Sequence, residues 1–431
     1  MKKLLGSAKA KMLVLKLANY LILAVVAILF ARFLGAEGYG SYAFVYAIIH
    51  ILIIPTGVGL PDLVMRETVR FIEDGRTAEI GRLWRWSGLM VVTSSLVIFV
   101  PVYAITRVTG YGPASPALFW IGMLMLPFMA AGAVRSSALQ ALGYPFAAQF
   151  PQMVLRQGLL VVLFLPVALI WPNLGTEPET AMLINLSAAM IAFLVGLYLL
   201  IKAAPAMENA PSVCTAPHRA WLTSAFWMGS GRGVQKLNGN IDLVLLGILA
   251  MASDVGIYKM AVVVGTTTIF AVQAIELALK PRLARLSKEG NTAALARASV
   301  RAARQILGFG GLIFLILVFF GERVLELAFG AEFSEGYHAL LLIAFGKASF
   351  YLFGPVRPLL NMTGHEKTVV PVMLQAVVLN IVACLLLIPL FGYLGAAAAL
   401  LMSTWFWNIR LYLLVRRKLG FDCSALGLKR Q

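Results

Sequence analysis

The sequence predicts an all-α integral membrane protein, and three observations carry that reading. First, 60% of its 431 residues are hydrophobic and only 13% are charged, with a mean hydropathy of +0.86. A soluble domain is about half apolar and a quarter charged. Second, the apolar residues fall in runs of the ~20 residues that a helix needs to cross the hydrocarbon core. Third, the basic residues behind the net charge of +17 gather between those runs. Basic clusters in short loops set membrane topology, so no nucleic-acid partner is expected.

Taken in order, the runs number twelve: 13–33, 39–64, 86–106, 117–142, 146–171, 180–201, 220–249, 254–280, 303–321, 336–360, 367–390 and 393–415. Pro55, Pro61, Pro127, Pro151, Pro166 and Pro355 fall inside runs and predict kinks rather than ends. The first run is too long for a cleavable signal peptide and lacks a small-residue cleavage site. Cys214, Cys384 and Cys423 form no metal-ligand spacing, and His50, His218, His338 and His365 are scattered. No metal, cofactor or disulfide framework is expected.

Threading twelve helices puts four basic clusters on one side. These are Lys2, Lys3, Lys9 and Lys11; Arg66, Arg70, Arg76, Arg82 and Arg85; Arg282, Arg285, Lys288, Arg297 and Arg301; and Arg416, Arg417, Lys418, Lys429 and Arg430. The opposite loops carry Arg32, Arg107 and Arg323 beside Glu37, Glu177, Glu179, Glu332 and Glu335. Positive-inside then places both termini in the cytoplasm. The charged, amphipathic loops 66–85 and 282–302 are read as interfacial helices on the inner leaflet. Segment 203–219, with Pro205, Pro211 and Pro217, is the one candidate linker.

Two related halves flank that linker. Tyr39-Gly40-Ser41-Tyr42 matches Val255-Gly256-Ile257-Tyr258 at an offset of 216 residues (Gly40 to Gly256). Asp74-Gly75-Arg76-Thr77-Ala78 matches Glu289-Gly290-Asn291-Thr292-Ala293 at 215. Gly132-Ala133-Val134-Arg135 matches Gly354-Pro355-Val356-Arg357 at 222, and the next turns carry Gly143 and Gly364 at 221. Four matches in order at nearly constant offset predict a duplicated six-helix unit. The expected division is an N-terminal bundle over 1–210 and a C-terminal bundle over 211–431. An even helix number relates them by a pseudo-twofold along the membrane normal, the layout of an alternating-access transporter.

The stretch Gly229–Tyr258 opens the second half and carries Arg232, Lys236 and Asp242 in a predicted span. A charge at the bilayer centre costs at least ~2.5–3.5 kcal/mol, so it faces a cavity or a partner. At 100° per residue, Arg232, Gln235, Lys236, Asn238, Asn240 and Asp242 share one side of the helix. Across the chain the deep cations are Arg135, Arg156, Arg232, Lys236, Lys347 and Arg357, the candidate substrate-binding residues. Guanidinium groups grip phosphate with paired donors, so a shared cavity would take an anionic, phosphate-bearing cargo. Arg135 and Arg357 lie eight and seven residues from a cytoplasmic turn, at Gly143 and Gly364, and either face that cavity or snorkel to the interface.

Asp242, Lys259 and Glu276 are the candidate coupling or ion-pair residues. Asp242 either pairs with Lys236 or Lys259 or couples transport to an ion; Glu276 is read as a helix-end pair with Lys280. His50 is read as a packing residue. Gly229-Ser230-Gly231-Arg232-Gly233 has no preceding strand and no GK[ST], so nucleotide binding is disfavoured. Its glycines suit close helix approach or unwinding beside a ligand.

Leu34-Gly35-Ala36-Glu37-Gly38-Tyr39-Gly40, Gly57-Val58-Gly59-Leu60-Pro61-Asp62 ahead of Arg66, and Asp242-Leu-Val-Leu-Leu-Gly247 with Val255-Gly256-Ile257-Tyr258 resemble the Wzx-type polysaccharide flippases. These belong to the multidrug/oligosaccharidyl-lipid/polysaccharide exporter superfamily. The resemblance runs along most of the chain. It implies a MATE-like fold in a bacterial inner membrane and a cationic lumen. It also implies a substrate: an undecaprenyl-pyrophosphate-linked sugar repeat unit, such as an O-antigen or exopolysaccharide unit, moved from the cytoplasmic to the periplasmic leaflet. A polysaccharide polymerase and export proteins are the implied partners. Murein-precursor flippases of the superfamily usually have two further helices, which this chain lacks.

Two other classes compete. A drug or cation antiporter of the superfamily would want an acidic cavity, against the excess of arginine here. A membrane polymerase or ligase would need a substantial outer loop with catalytic side chains, and the predicted outer loops are short. No enzymatic activity is expected.

Overall fold

Helix is the regular structure of every described segment, as a bilayer requires of a backbone that has no water to bond. The structure is a computed structural model that describes residues 8–57, 59–204 and 218–427. Among the described residues seven helices are long and apolar enough to cross a membrane: Val14–Gly57, Thr77–Thr109, Pro116–Ala141, Pro145–Ile170, Pro178–Ala203, Ala331–Phe353 and Glu366–Leu419. The first and last are each two helices joined across a bend, at Gly35 (φ 66°) and Gly392 (φ 53°), backbone that glycine adopts freely.

The chain packs as two units, Met1–Asn240 and Ile241–Gln431. The predicted linker and the division at 210/211 fall on residues 203–219, of which 205–217 lie outside the described residues. Unit 1 holds α1 (Ala8–Gly57), α2 (Leu60–Glu73), α3 (Thr77–Thr109), α4 (Pro116–Ala141), α5 (Pro145–Ile170), α6 (Pro178–Ala203) and α7 (His218–Asn238). Prolines in the first turns of α2, α4, α5 and α6 give up an N–H that no helix start can use. Leu63, Ile80, Leu83, Val91, Leu139 and Ala148 form the core among α2, α3, α4 and α5, and Trp221 and Ala225 fasten α7 to it. The Trp86 and Trp221 rings lie 5.2 Å apart. Gly59 permits this seat: a Cβ there would stand 1.7 Å from the Ala225 carbonyl oxygen.

Unit 2 holds α8 (Ile241–Leu249), α9 (Ala252–Gly265), α10 (Ile269–Lys288), α11 (Thr292–Phe329), α12 (Tyr337–Phe353), α13 (Val356–Met362) and α14 (Glu366–Leu419). Val272, Ile306 and Tyr351 make one of its cores. On both units large apolar side chains stand outward, Val97, Val100 and Leu169 on one and Phe319, Leu386 and Leu390 on the other. That surface suits lipid, and in water it would aggregate.

Several predicted runs are divided differently. Run 39–64 ends at Gly57 (φ 135°), and Pro61 opens a separate helix. Run 220–249 breaks at Gly239–Asn240, so α7 and α8 do not share the single helical face predicted for Arg232 through Asp242. Run 254–280 is interrupted by a 3-10 turn at Thr266–Thr268. Run 303–321 lies inside α11, whose first turns carry the basic residues Arg297, Arg301 and Arg304. The loops 66–85 and 282–302 are helical apart from the turns at Gly75 (φ 71°) and Gly290 (φ 66°).

Those two turns fall on sequence segments that match each other, and so do Gly143 (φ 86°) and Gly364 (φ 78°). Both pairs use the same left-handed backbone. The third match does not: Gly132 sits inside α4, whereas Gly354 (φ 71°) ends α12.

The close approach at Gly59 yields a test. Gly59→Ala is expected to lower the stability of the detergent-purified protein by about 1–3 kcal/mol, as overpacking does. Gly88, with open space where a Cβ would stand, serves as control, and Gly88→Ala should leave the thermal unfolding midpoint unchanged or slightly raised.

Candidate functional site

The polar interior of unit 1 is built where α1, α5 and α6 meet. The second arm of α1 presents Tyr39, Tyr42, Tyr46 and His50, spaced so that they lie along one face. Tyr42 and Tyr46 stack at 5.9 Å with planes 10° apart, and His50 stands edge-on to Tyr46 at 4.6 Å. A π-helical turn at Pro151–Leu155 interrupts α5 just before Arg156. Such bulges often mark functional positions because they re-aim the next side chain.

Arg156 is 4% exposed. Its Nη2 donates to Asn185 Oδ1 of α6 at 2.9 Å and to the Tyr46 hydroxyl at 3.3 Å. Asn185 Nδ2 in turn donates to the Tyr42 hydroxyl. The guanidinium carbon lies 5.9 Å from the Tyr46 ring centroid, and Arg156 Nε has no acceptor among the described residues. No carboxylate pairs with this arginine among the described residues. A cation desolvated among neutral groups costs several kcal/mol and leaves a positive potential for an anion.

Arg135 of α4 is 3% exposed, and all three of its guanidinium nitrogens are buried without an acceptor among the described residues. It does not snorkel. Instead it lies on the Cα of Gly196 in α6, where a Cβ would come 0.6 Å from Nη1.

Arg232 stands apart from these two. It forms an ion pair with Asp62 at 2.6 Å, its side chain 62% exposed and that of Asp62 18%. Lys236 is half-buried near the C-terminal end of α7. The Gly229–Gly233 segment is continuous helix, so it is no phosphate loop. Gly229 and Gly233 help line a largely apolar cavity of about 660 Å³ among α1, α3 and α7.

In unit 2, Asp242 is 4% exposed and accepts hydrogen bonds from the Tyr258 hydroxyl and, at 2.9 Å, from the backbone N–H of Leu243. Lys259 and Lys347 both feel its charge, as does Cys384. Two half-buried lysines therefore lie within electrostatic reach of one carboxylate. Glu276 pairs with Lys280 at 3.8 Å, and Arg357 interacts electrostatically with the same carboxylate.

The nine sequence-nominated residues thus separate into local groups. Arg156 and Arg135 lie in unit 1 without acids, Arg232 is paired with Asp62, and Asp242, Lys259 and Lys347 form a cluster in unit 2. Glu276, paired with Lys280, also acts electrostatically on Arg357 there, and Lys236 stands near the end of α7. Sequence reasoning missed Asn185, Tyr42, Tyr46 and Tyr258 as partners. Asn185, an amide deep in the apolar α6, was a usable signal. So was the repeat itself, because Tyr42 and Tyr258 occupy matched positions and each bonds a buried polar cluster.

Long apolar helices with apolar side chains turned outward define the class: a multi-pass helical membrane protein. Residues 10–287 match the family model described as "Polysaccharide biosynthesis protein", and the chain belongs to that family. It is 23% identical over 392 residues, 87% of this chain and 75% of the other, to the "Probable low-salt glycan biosynthesis flippase Agl15" of Haloferax volcanii. Among solved structures it resembles the lipid II flippase MurJ in an inward closed conformation, at a TM-score of 0.74 and 12% identity. That match covers 94% of this chain and 87% of MurJ. It also resembles an inward-facing MATE-family multidrug resistance transporter of the MOP superfamily, at 0.69 and 15%, covering 93% and 94%. The fold is that of the superfamily.

The Arg156–Asn185 contact can be tested through stability. Asn185→Leu is expected to cost about 1.5–3 kcal/mol, because it strips a hydrogen bond from a buried charge. Adding Arg156→Met should recover most of that loss in thermal unfolding, since the uncompensated charge goes with it.

Proposed function

We propose that this protein is a flippase that carries a polyprenyl-pyrophosphate-linked oligosaccharide repeat unit from the cytoplasmic to the periplasmic leaflet. The observation that carries the reading is Arg156, a buried guanidinium held by neutral partners and so available to a phosphate. Membership of the polysaccharide biosynthesis family, a relative named as a glycan biosynthesis flippase and the fold shared with a lipid II flippase support it. The pyrophosphate and glycan would enter a cationic cavity while the polyprenyl tail stays in lipid. Guanidinium forks suit pyrophosphate oxygens.

In this reading twelve helices form two six-helix bundles, 1–210 and 211–431, that rock about a pseudo-twofold along the membrane normal. Both termini lie in the cytoplasm of a bacterial inner membrane. Arg135, Arg156, Arg232, Lys236, Lys347 and Arg357 serve the substrate. Asp242, Lys259 and Glu276 hold or couple their charges. A polysaccharide polymerase and export proteins would take up the delivered unit, and the chain itself performs no bond chemistry. The antiporter reading is weaker: cationic drugs call for an acidic site, and the acids Asp62 and Asp242 already face Arg232 and two lysines.

In cells that depend on this chain for surface glycan, Arg156→Gln is expected to reduce export by about tenfold or more at equal protein level, the loss of one charged hydrogen-bonding group. Arg156→Lys should keep part of it. Normal surface glycan in both variants would remove Arg156 from the transport path.

A further inference from the structure

We infer that Arg135 forms a second anion station in unit 1, separate from the Arg156 station, and that both receive the pyrophosphate of one lipid-linked substrate in succession. The inference rests on the flippase reading and adds a route to it.

Helices α4 and α6 run side by side in the same direction, with Gly122 against Met182 and Arg135 against Gly196. Arg156 meets α6 at Asn185 and Arg135 meets it at Gly196, eleven residues further along. At 1.5 Å rise per residue the two contacts are about 16 Å apart. In the proposed orientation Arg135 is the inner station and Arg156 the outer one.

A polar side chain lies between them. Gln152, one turn before Arg156, lays its amide on Gly132, one turn before Arg135; a Cβ on Gly132 would stand 2.1 Å from Gln152 Nε2. Gln149 continues the same face of α5 and buries Oε1 without a donor among the described residues. Arg135 of α4 and Gln149 and Arg156 of α5 thus all bury polar atoms without partners among the described residues.

Energetics give Arg135 its meaning. A guanidinium 3% exposed, with three nitrogens lacking acceptors, destabilises the fold that carries it. Gly196 is small enough to admit this group and offers it no hydrogen bond. A pyrophosphate, with several strong acceptor oxygens, would satisfy all three nitrogens at once. The same chemistry could come from an anionic phospholipid headgroup, so the experiment separates the two sources.

Full-length protein in phosphatidylcholine nanodiscs is titrated with undecaprenyl pyrophosphate, and binding stoichiometry is read by native mass spectrometry. A parallel arm uses phosphatidylglycerol. Wild type is expected to take two pyrophosphate lipids at saturation, and Arg135→Met and Arg156→Met one each. Arg135→Met should unfold no earlier than wild type on heating, which excludes misfolding as the cause. Two lipids still bound to Arg135→Met with wild-type affinity would overturn the inference. So would phosphatidylglycerol occupying the Arg135 site as tightly as the pyrophosphate lipid. Failure of wild type to bind any pyrophosphate lipid would instead count against the flippase reading itself.

Discussion

Keeping a guanidinium dry without a carboxylate is the constraint on which the interior of unit 1 depends. Arg156 can be held there because three helices each give up apolar packing to serve it. Helix α1 supplies Tyr42 and Tyr46, α6 supplies Asn185, and the π turn of α5 aims the arginine between them. A glutamate in place of Asn185 would satisfy the charge more fully, but it would also cancel the positive potential. Neutral partners orient the guanidinium and leave its charge to act on something else. That choice separates this interior from the Asp62–Arg232 and Glu276–Lys280 pairs, where acid and base face each other directly.

Unit 2 solves a related problem with a different balance. Tyr258, the repeat partner of Tyr42, again donates or accepts at the centre of a buried polar cluster, here with Asp242. One carboxylate facing Lys259 and Lys347 leaves an excess of positive charge. The two matched sequence segments thus carry a tyrosine at the same place, while the groups around it differ: a neutral amide beside Tyr42 and a carboxylate beside Tyr258.

Fold class was legible because bilayer physics writes it in long runs. Twenty apolar residues with basic flanks admit few alternatives, and the glycine turns at Gly75, Gly290, Gly143 and Gly364 repeat because only glycine enters that backbone cheaply. Helix ends were harder. Gly57, Gly239 and Thr266 interrupt runs that hydropathy alone reads as continuous, since hydropathy does not register a local change in backbone hydrogen bonding. Nominating the deep charges could not sort them by their surroundings. Arg135 and Arg232 look alike on a helical wheel; one is buried without an acceptor among the described residues, and the other meets Asp62, 170 positions away in the chain. Neutral partners such as Asn185 and Tyr46 carry no charge signal and become visible only when the helices are packed.

The most direct measurement is lipid translocation in proteoliposomes that contain this protein alone, using a fluorescent undecaprenyl-pyrophosphate oligosaccharide whose leaflet is read by quencher accessibility. Wild type is expected to move the lipid between leaflets, and Arg156→Met, folded to the same thermal midpoint, is expected to move it no faster than protein-free vesicles. Equal rates for Arg156→Met and wild type, or no translocation by wild type, would contradict a flippase built around that buried guanidinium.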